Sequence, residues 1–351
     1  MVSHNSRRGK GGDVPPSEPV TLSQIAKRAG VHVSTVSRAL APKSAGVSND
    51  TVQRVRAIAE EMGYRPDPAA ASLRTRRSGV LGVIMPRLTD YVLARIFEGA
   101  DEAAHGIGYT TVVSSSNDDV ELRMKRLDGL LTKRVEGFIV GDARLDGDEL
   151  VQSLKRQKVP YLLVNRRLRG HPSVSTDDIR GGQLAGQHLL DLGHRSVAVI
   201  AGPDYASTCV ERTHGFVERF LSAGVPVPDT CVQPSASNAE GGYEAANLLL
   251  TRHPELTGLF AINDFAAVGA MGAAREHGRV PGRDIAIIGY NDIPIAQFLP
   301  VPLTSVKSRM KDMGDIGARL LSDVIAGKDI ESVLLEPTLS PRESTLSVHL
   351  A

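Results

Sequence analysis

Arg38 stands with Ser34, Thr35 and Ser37 on the outward side of a short amphipathic segment whose inward side carries Val36, Ala39 and Leu40. One guanidinium among small hydroxyls has a definite chemistry: an arginine fork spans O6 and N7 of guanine, and hydroxyls bond base edges or phosphate. Covalent catalysis has no comparable foothold. Gly106-Ile107-Gly108 comes nearest to a nucleotide loop, but it lacks a third glycine and a preceding strand; no Walker A, HExxH, GxSxG or paired-cysteine motif is present. The 10 histidines are scattered, and His188 and His194, where a helix runs into a turn, suit packing or capping. Cys209 and Cys231, the only cysteines, have neither disulfide nor metal-ligand spacing, which fits buried filler in a reducing cytoplasm. Neither catalysis, cofactor nor metal is expected.

The elements that must hold the Arg38 face lie around it. In VTLSQIAKRAGVHVSTVSRAL, Val20 to Leu40, Thr21 sits at an N-cap with Gln24 three residues on, so a capping box opens a helix at Leu22. Ile25, Ala26 and Ala29 form its inner face, Gly30 supplies the left-handed residue that ends it, and a second helix follows at once. Two short helices about a glycine turn can lay one helix into the major groove, although an ordinary helical hairpin in a larger core has the same local pattern. A third helix opens at Val47 to Thr51 with Ser48 as cap; Val52, Val55, Ile58, Ala59 and Met62 recur at helical spacing and Gly63 closes it. Tyr64 to Pro68 then breaks the chain, and Ala69 to Arg74 offers one more short helix, with Asp67 as cap and Pro68 at its first position.

From Ser78 onward, short continuous apolar runs alternate with helical stretches: Val80 to Met85, Thr110 to Ser114, Gly137 to Val140, Tyr161 to Val164, Val197 to Ala201, Leu259 to Ile262 and Ile285 to Ile288. Such runs are parallel strands covered on both faces, and the alternation predicts a doubly wound α/β body. At 351 residues the chain exceeds one compact domain and suits a small reader joined to a large body. Charge divides in the same way. Met1 to Gly79 holds 13 Lys and Arg against 6 Asp and Glu in a chain of net charge +1, so a basic head precedes an acidic body, a footprint for nucleic acid. Met1 to Pro19 is polar and rich in Gly, Ser and Pro, and is expected to be a disordered tail, neither signal peptide nor membrane span.

VTLSQIAKRAGVHVSTVSRAL followed by VSNDTVQRVRAIAEEMGYRPDPAAASLR resembles the headpiece and hinge of the lactose/galactose repressor (LacI/GalR) family. The resemblance runs to the C-terminus through SGVLGVIMP, VEGFIV, VPYLLVNRR, LGHRSVAVIAG, ERTHGF, LFAINDFAAVGA, VPGRDIAIIGYND, PLTSV and LSPREST, in that family's order. It implies an N-terminal all-α helix-turn-helix headpiece with hinge helix, then an α/β periplasmic-binding-protein-like body of two doubly wound parallel-sheet lobes. The implied division is a tail at 1–19, the DNA-binding domain at 20–65, hinge and linker at 66–78, and an effector-binding and dimerisation domain at 79–351. Within that domain the N-lobe takes about 79–175 and 306–333 and the C-lobe about 176–305 and 334–351, with crossovers near Ser175, Ser305 and Leu334. The function implied is that of a bacterial cytoplasmic, nucleoid-associated transcription regulator without enzymatic activity. Most simply it is a homodimeric repressor of a catabolic operon, released from a pseudo-palindromic operator by a small sugar-like effector. A corepressor-type protein that binds DNA only with ligand, and a regulator answering to a protein partner, are the alternatives. No leucine-heptad tail follows Thr345, which favours a dimer.

Residue by residue, the resemblance assigns base reading to Val33, Ser34, Ser37 and Arg38, and phosphate contacts to Thr21, Leu22, Thr35, Ser48, Asn49 and Thr51. Ala70 and Leu73 match the minor-groove hinge, Leu73 as an intercalating wedge. Two positions depart from the family: His32 stands where a small capping Ser is usual, and Ala41-Pro42 replaces an Asn. For the effector the resemblance brings together Tyr91, Leu93, Asn165, Arg166, Arg212, Ser237, Asn263, Phe265, Asn291 and Ser308, with Asp264 as a helix cap. Sugar-binding relatives commonly carry Asp where Asn165 and Asn291 stand, and often an aromatic near Ser237. Keeping Arg166 and Arg212 without those acids leaves a positive lining, so a sugar acid is expected to bind better than its neutral parent. That expectation lapses if Arg166 turns to solvent or pairs with an acid such as Asp177.

Overall fold

The computed structural model describes residues 20–41, 46–64 and 77–346, and the chain divides into two compact units, 1–77 and 78–351. The tail at 1–19, the loop at 42–45 and the hinge, with Ala70 and Leu73, lie outside the described residues.

The first unit holds α1 (Leu22–Ala29), α2 (Val33–Ala39) and α3 (Asn49–Glu61). The capping box forms as the sequence predicts: the Thr21 amide donates to Gln24 Oε1 at 2.7 Å and the Gln24 amide donates to Thr21 Oγ1 at 3.3 Å. Gly30 ends α1 at φ 66°, and Gly63 lets the chain leave α3 at φ 67°, with the Tyr64 amide returning to the Ala59 carbonyl at 2.8 Å. Ile25, Val36, Ala39 and Val55 interlock with no exposed surface and fix the three axes. An ion pair from Arg28 to Glu61 ties α1 to the end of α3.

The second unit contains two six-stranded sheets. The first comprises β1 (Val80–Met85), β2 (Thr110–Ser115), β3 (Gly137–Val140), β4 (Tyr161–Val164), β5 (Ser173–Thr176) and a late strand, β11 (Val333–Leu335). Its order is β11-β5-β4-β3-β1-β2, parallel throughout. The second comprises β6 (Val197–Ala201), β7 (Val232–Pro234), β8 (Gly258–Ala261), β9 (Ala286–Asn291), β10 (Thr304–Lys307) and β12 (Thr338–Ser340), ordered β12-β10-β9-β8-β6-β7. Only β12 runs antiparallel. All seven strands read from apolar runs are present. Five short ones were not read: β5, β7, β10 and β12 are interrupted by Ser, Thr, Gln or Lys, and β11, although apolar, is only three residues long.

Helices cover both faces of each sheet. In the first, Leu81, Val83 and Met85 point toward α4 (Tyr91–Gly106) and α11 (Met310–Ile325), while Ile84 points toward α5 (Val120–Leu131) and α6 (Glu149–Arg156). On the second, α7 (Asp178–Asp191) packs on α8 (Ser207–Ser222), and α9 (Ala239–Arg252) on α10 (Asp264–Glu276). The chain leaves the first sheet after Thr176, returns to it with α11 after Lys307, and leaves again between Leu335 and Thr338. A final turn, α12 (Glu343–Leu346), packs near β9. Among the described residues no helix is long and apolar enough to cross a membrane.

Candidate functional site

In the first unit the outward face of α2 is organised by its N-cap. His32 Nδ1 accepts from the Ser34 amide at 3.3 Å and lies 2.9 Å from Ser34 Oγ, so the imidazole does the work of a small hydroxylic cap. Val33, Ser34 and Arg38 are exposed; Thr35 and Ser37 are half-buried. Arg38 Nε donates to the Ser34 carbonyl at 3.3 Å, and its Nη1 lies close to Gly46 in the turn before α3. Thr21 is exposed at the start of α1 beside half-buried Leu22, and Ser48 and Asn49 are exposed beside half-buried Thr51 at the start of α3. Ser48 occupies the N-cap position but makes no side-chain cap: its hydroxyl pairs with Thr51 Oγ1 at 2.9 Å. Two hydroxyls one turn apart satisfy each other in place of a side-chain cap by Ser48.

In the second unit a cleft of about 130 Å³ opens between the sheets at the carboxyl ends of β1, β2, β4, β6, β8 and β9. Leu93, Asn165, Arg166 and Arg212 line it, as do Ser237, Asn263, Phe265 and Asn291. Tyr91 and Ser308 line a neighbouring cavity of about 480 Å³ instead, although Ser308 Oγ reaches the first cleft by donating to Asn291 Oδ1 at 3.2 Å. Asn165 and Asn291 sit at φ 65° and φ 100°, left-handed conformations that asparagine tolerates better than most side chains.

The two buried cleft guanidiniums, Arg166 and Arg212, are already neutralised, which corrects the expectation that they leave a positive lining. Arg212 Nε donates to Asp178 Oδ1 at 2.7 Å, its Nη1 donates to the Ile262 carbonyl at 2.9 Å, and its plane lies 3.8 Å over the Tyr290 ring. Burial opposes the Arg212 charge, but the Asp178 carboxylate more than offsets it and holds the pKa above its ordinary value. Arg166 neither turns to solvent nor meets Asp177, which caps α7 through the Arg180 amide. Instead it donates Nη1 and Nη2 to the two oxygens of Asp118 at 2.6 and 2.9 Å. Burial also raises Asp90, at the start of α4, against the pull of Arg212 and Arg87.

Asp264 is a second correction. The cap of α10 is Asn263, whose Oδ1 accepts from the Ala266 amide at 2.8 Å while its Nδ2 donates to the Ser237 carbonyl at 2.8 Å. Asp264 turns inward, accepts from the Ile293 amide at 2.7 Å and Ser305 Oγ at 2.5 Å, and is pushed up to about 7 by burial. His188 and His194 pair with Thr345 and Thr257, each at 2.9 Å, and burial depresses His194 to about 4. Both cysteines are buried; Cys209 also lines the cleft, which its spacing gave no reason to expect.

Arg87, Asp118, Tyr205 and Thr208 also line it and were missed from sequence. Asp118 had a readable signal: Asn117-Asp118 after an apolar strand is turn chemistry, and both adopt φ near +55° (54° and 59°). Tyr205 ties the two lobes, with Arg144 3.8 Å over its ring and the Leu145 amide donating to its carbonyl at 2.8 Å. Beside it, Arg167 crosses the cleft edge, its amide donating to Ser207 Oγ at 2.8 Å and its Nε to Glu211 at 3.0 Å.

Residues 78–333 match the family described as periplasmic binding proteins and sugar binding domain of LacI family, and residues 21–67 match bacterial regulatory proteins, lacI family. The HTH-type transcriptional regulator CelR of Thermobifida fusca is 34% identical over 337 residues, 92% of this chain and 98% of that protein. A CelR–cellobiose complex superposes with TM-score 0.72 at 32% identity, covering 93% and 99% of the two chains. The lac repressor dimer bound to operator and the anti-inducer ONPF gives TM-score 0.87 at 28% identity, over 94% and 100%.

Proposed function

Because this chain belongs to the lacI family of bacterial regulatory proteins and is a ligand-responsive, DNA-binding transcriptional repressor, we propose that a neutral saccharide is its effector and releases it from a pseudo-palindromic operator. In this reading it acts as a cytoplasmic homodimer, where the chromosome is, and catalyses nothing. One observation carries the effector class: each buried cleft guanidinium, Arg166 and Arg212, has its own carboxylate, and the strand ends beside them offer the amides of Asn165, Asn263 and Asn291. Donors and acceptors without surplus charge match the hydroxyls of a sugar. A saccharide complex of a relative is consistent with this class.

On DNA, Arg38 reads guanine with Val33, Ser34 and Ser37 beside it, and Thr21, Leu22, Thr35, Ser48, Asn49 and Thr51 hold phosphates. The hinge at Ala70 and Leu73 orders on the minor groove when two copies meet; an isolated two-turn helix is unstable in water. Sugar bound across the lobes biases their relative positions and thereby the hinge pair, a population shift limited by its differential affinity.

Operator selected in vitro, titrated with protein in the presence and absence of ribose, glucose, galactose and cellobiose, tests the reading. A two-fold symmetric site and a sugar that weakens binding are expected. Tightening by ligand points to a corepressor, and an asymmetric single-half-site consensus overturns the dimer. Arg38→Ala is expected to cost about 1–3 kcal/mol per half-site and to relax specificity at the contacted base.

A further inference from the structure

Arg166 and Asp118 differ from an incidental surface pair in how they are held. Their side chains are only 11% and 17% exposed. Arg166 follows left-handed Asn165, and its amide turns back to the Val164 carbonyl at 2.7 Å, which directs the guanidinium along the cleft wall. Asp118 is carried by a loop pinned from below: the Ser116 amide donates to the Met85 carbonyl at 3.0 Å and the Asn117 amide to the Pro86 carbonyl at 2.7 Å. Beneath these, Ser116 Oγ donates to Asp142 Oδ2 at 2.5 Å, and Arg123 joins Asp142 (3.1 Å) to Asp148 (2.9 Å) in a buried network. Asp148 in turn accepts the Arg144 amide at 2.8 Å, and Arg144 Nη1 donates to the Asp118 carbonyl at 3.3 Å. A buried lattice of three carboxylates and guanidiniums thus over-determines where one cleft carboxylate stands.

We propose that Asp118 is the residue that sets the charge class of the effector: by gripping both terminal nitrogens of Arg166 it makes that wall of the cleft a neutral donor and acceptor patch and bars ligand carboxylates. This rests on the reading of the cleft as a saccharide site. The two carboxylate oxygens have lone pairs beyond those used by Arg166, and Arg166 keeps Nε and one hydrogen on each terminal nitrogen. Vicinal hydroxyls of a sugar can both donate to and accept from such a pair. A ligand carboxylate placed there meets Asp118 at ion-pair range and must also displace it from Arg166. Arg212 cannot compensate, since it is bound to Asp178, and the remaining lining guanidinium, Arg87, is exposed and stands with the carboxyl of Asp90. Asp118 is a specificity-determining residue acting partly through Arg166.

The test uses the full-length protein and calorimetry on two matched pairs, glucose with glucuronate and galactose with galacturonate. Asp118→Asn keeps the shape and the left-handed turn and removes the charge. The ratio of acid to neutral-sugar affinity is expected to rise about tenfold or more in the variant for at least one pair, the scale of a unit-charge contact near a protein surface. Asp118→Ser must show the same gain, which guards against a disturbed turn in either variant. Adding Arg166→Gln to Asp118→Asn must abolish the gain; if it persists, Arg166 is not the receiver and the assignment fails. An equal ratio in parent and both single variants, with thermal unfolding and operator binding intact, overturns it outright. A parent protein that takes up no neutral saccharide at all removes the saccharide reading instead, while the comparison of acids between parent and variants still decides the role of Asp118.

Discussion

Asp264 lies one residue from the cleft lining, and its titration bears on stability. Its carboxyl is raised to about 7 by burial, whereas in an unfolded chain it ionises near 4. The folded state therefore holds a proton that the unfolded state gives up, and this contribution to stability is complete below pH of about 4 and lost as pH rises toward about 7. His194, depressed to about 4, works in the opposite sense over the lower part of that window: its contribution is present above the ordinary histidine range and lost as pH falls toward about 4. Asp264→Asn isolates the carboxylate. The variant is expected to gain stability relative to the parent protein as pH rises from about 5 to 8, by on the order of a few kcal/mol, because the amide keeps an oxygen for the Ile293 amide without ever ionising. Thermal unfolding of both proteins across that range measures it; parallel curves would remove the assignment. That Asn263 caps α10 while Asp264 is buried was unreadable in sequence, since both residue types cap helices and only the approach of β10 with Ser305 distinguishes them.

At the scale of elements, three helix pairs meet through glycine on both sides. A methyl on Gly99 of α4 would fall inside contact distance of the Lys311 carbonyl, and one on Gly314 of α11 would strike the Ile96 carbonyl; Gly182 with Gly215 and Gly242 with Gly269 repeat the arrangement. Backbones therefore touch, and packing density there is set by the absence of Cβ atoms. Gly314→Ala is expected to destabilise the body by about 1–3 kcal/mol through overpacking, despite the better helix propensity of alanine. Chemical denaturation measures that loss, and an unchanged or raised midpoint would contradict it. Apolar runs exposed seven strands to sequence reading, and a glycine with two caps exposed the headpiece. The short strands beside the crossovers stayed hidden because polar residues, or an apolar run of only three as in β11, do not mark a strand unless its neighbours are known. For the same reason the partners of Arg166 and Arg212 were invisible: Asp118 and Asp178 stand 48 and 34 residues away in sequence, and only the sheet order brings them near.

Over the whole body, movement of one lobe against the other is resisted by three covalent crossovers and by the ties from Arg144, Leu145 and Arg167 to Tyr205, Ser207 and Glu211. These ties favour the arrangement in which the cleft is enclosed, so they set the fraction of molecules ready to hold a ligand. Glu211→Gln is expected to weaken saccharide binding by a few-fold, equivalent to about 0.5–1 kcal/mol for a partly exposed ion pair, while ligand-free operator affinity stays within error. Calorimetry and operator titration on the same preparation decide it, and an unaltered sugar affinity would remove the ties from the mechanism.

The three passages of the chain between the sheets also limit how such a protein can be cut and rejoined. The first sheet takes strands from 80–176 and 333–335, and the second from 197–307 and 338–340, so neither is a continuous gene segment. A single recombination joint inside the body gives every sheet strands from two parents, and exchanging one lobe cleanly takes three joints that must all fit. The first unit ends at residue 77 and is met by only one joint. New pairings of operator with effector are therefore accessible by one exchange near that point, whereas a new cleft has to be reached by substitution inside an inherited body.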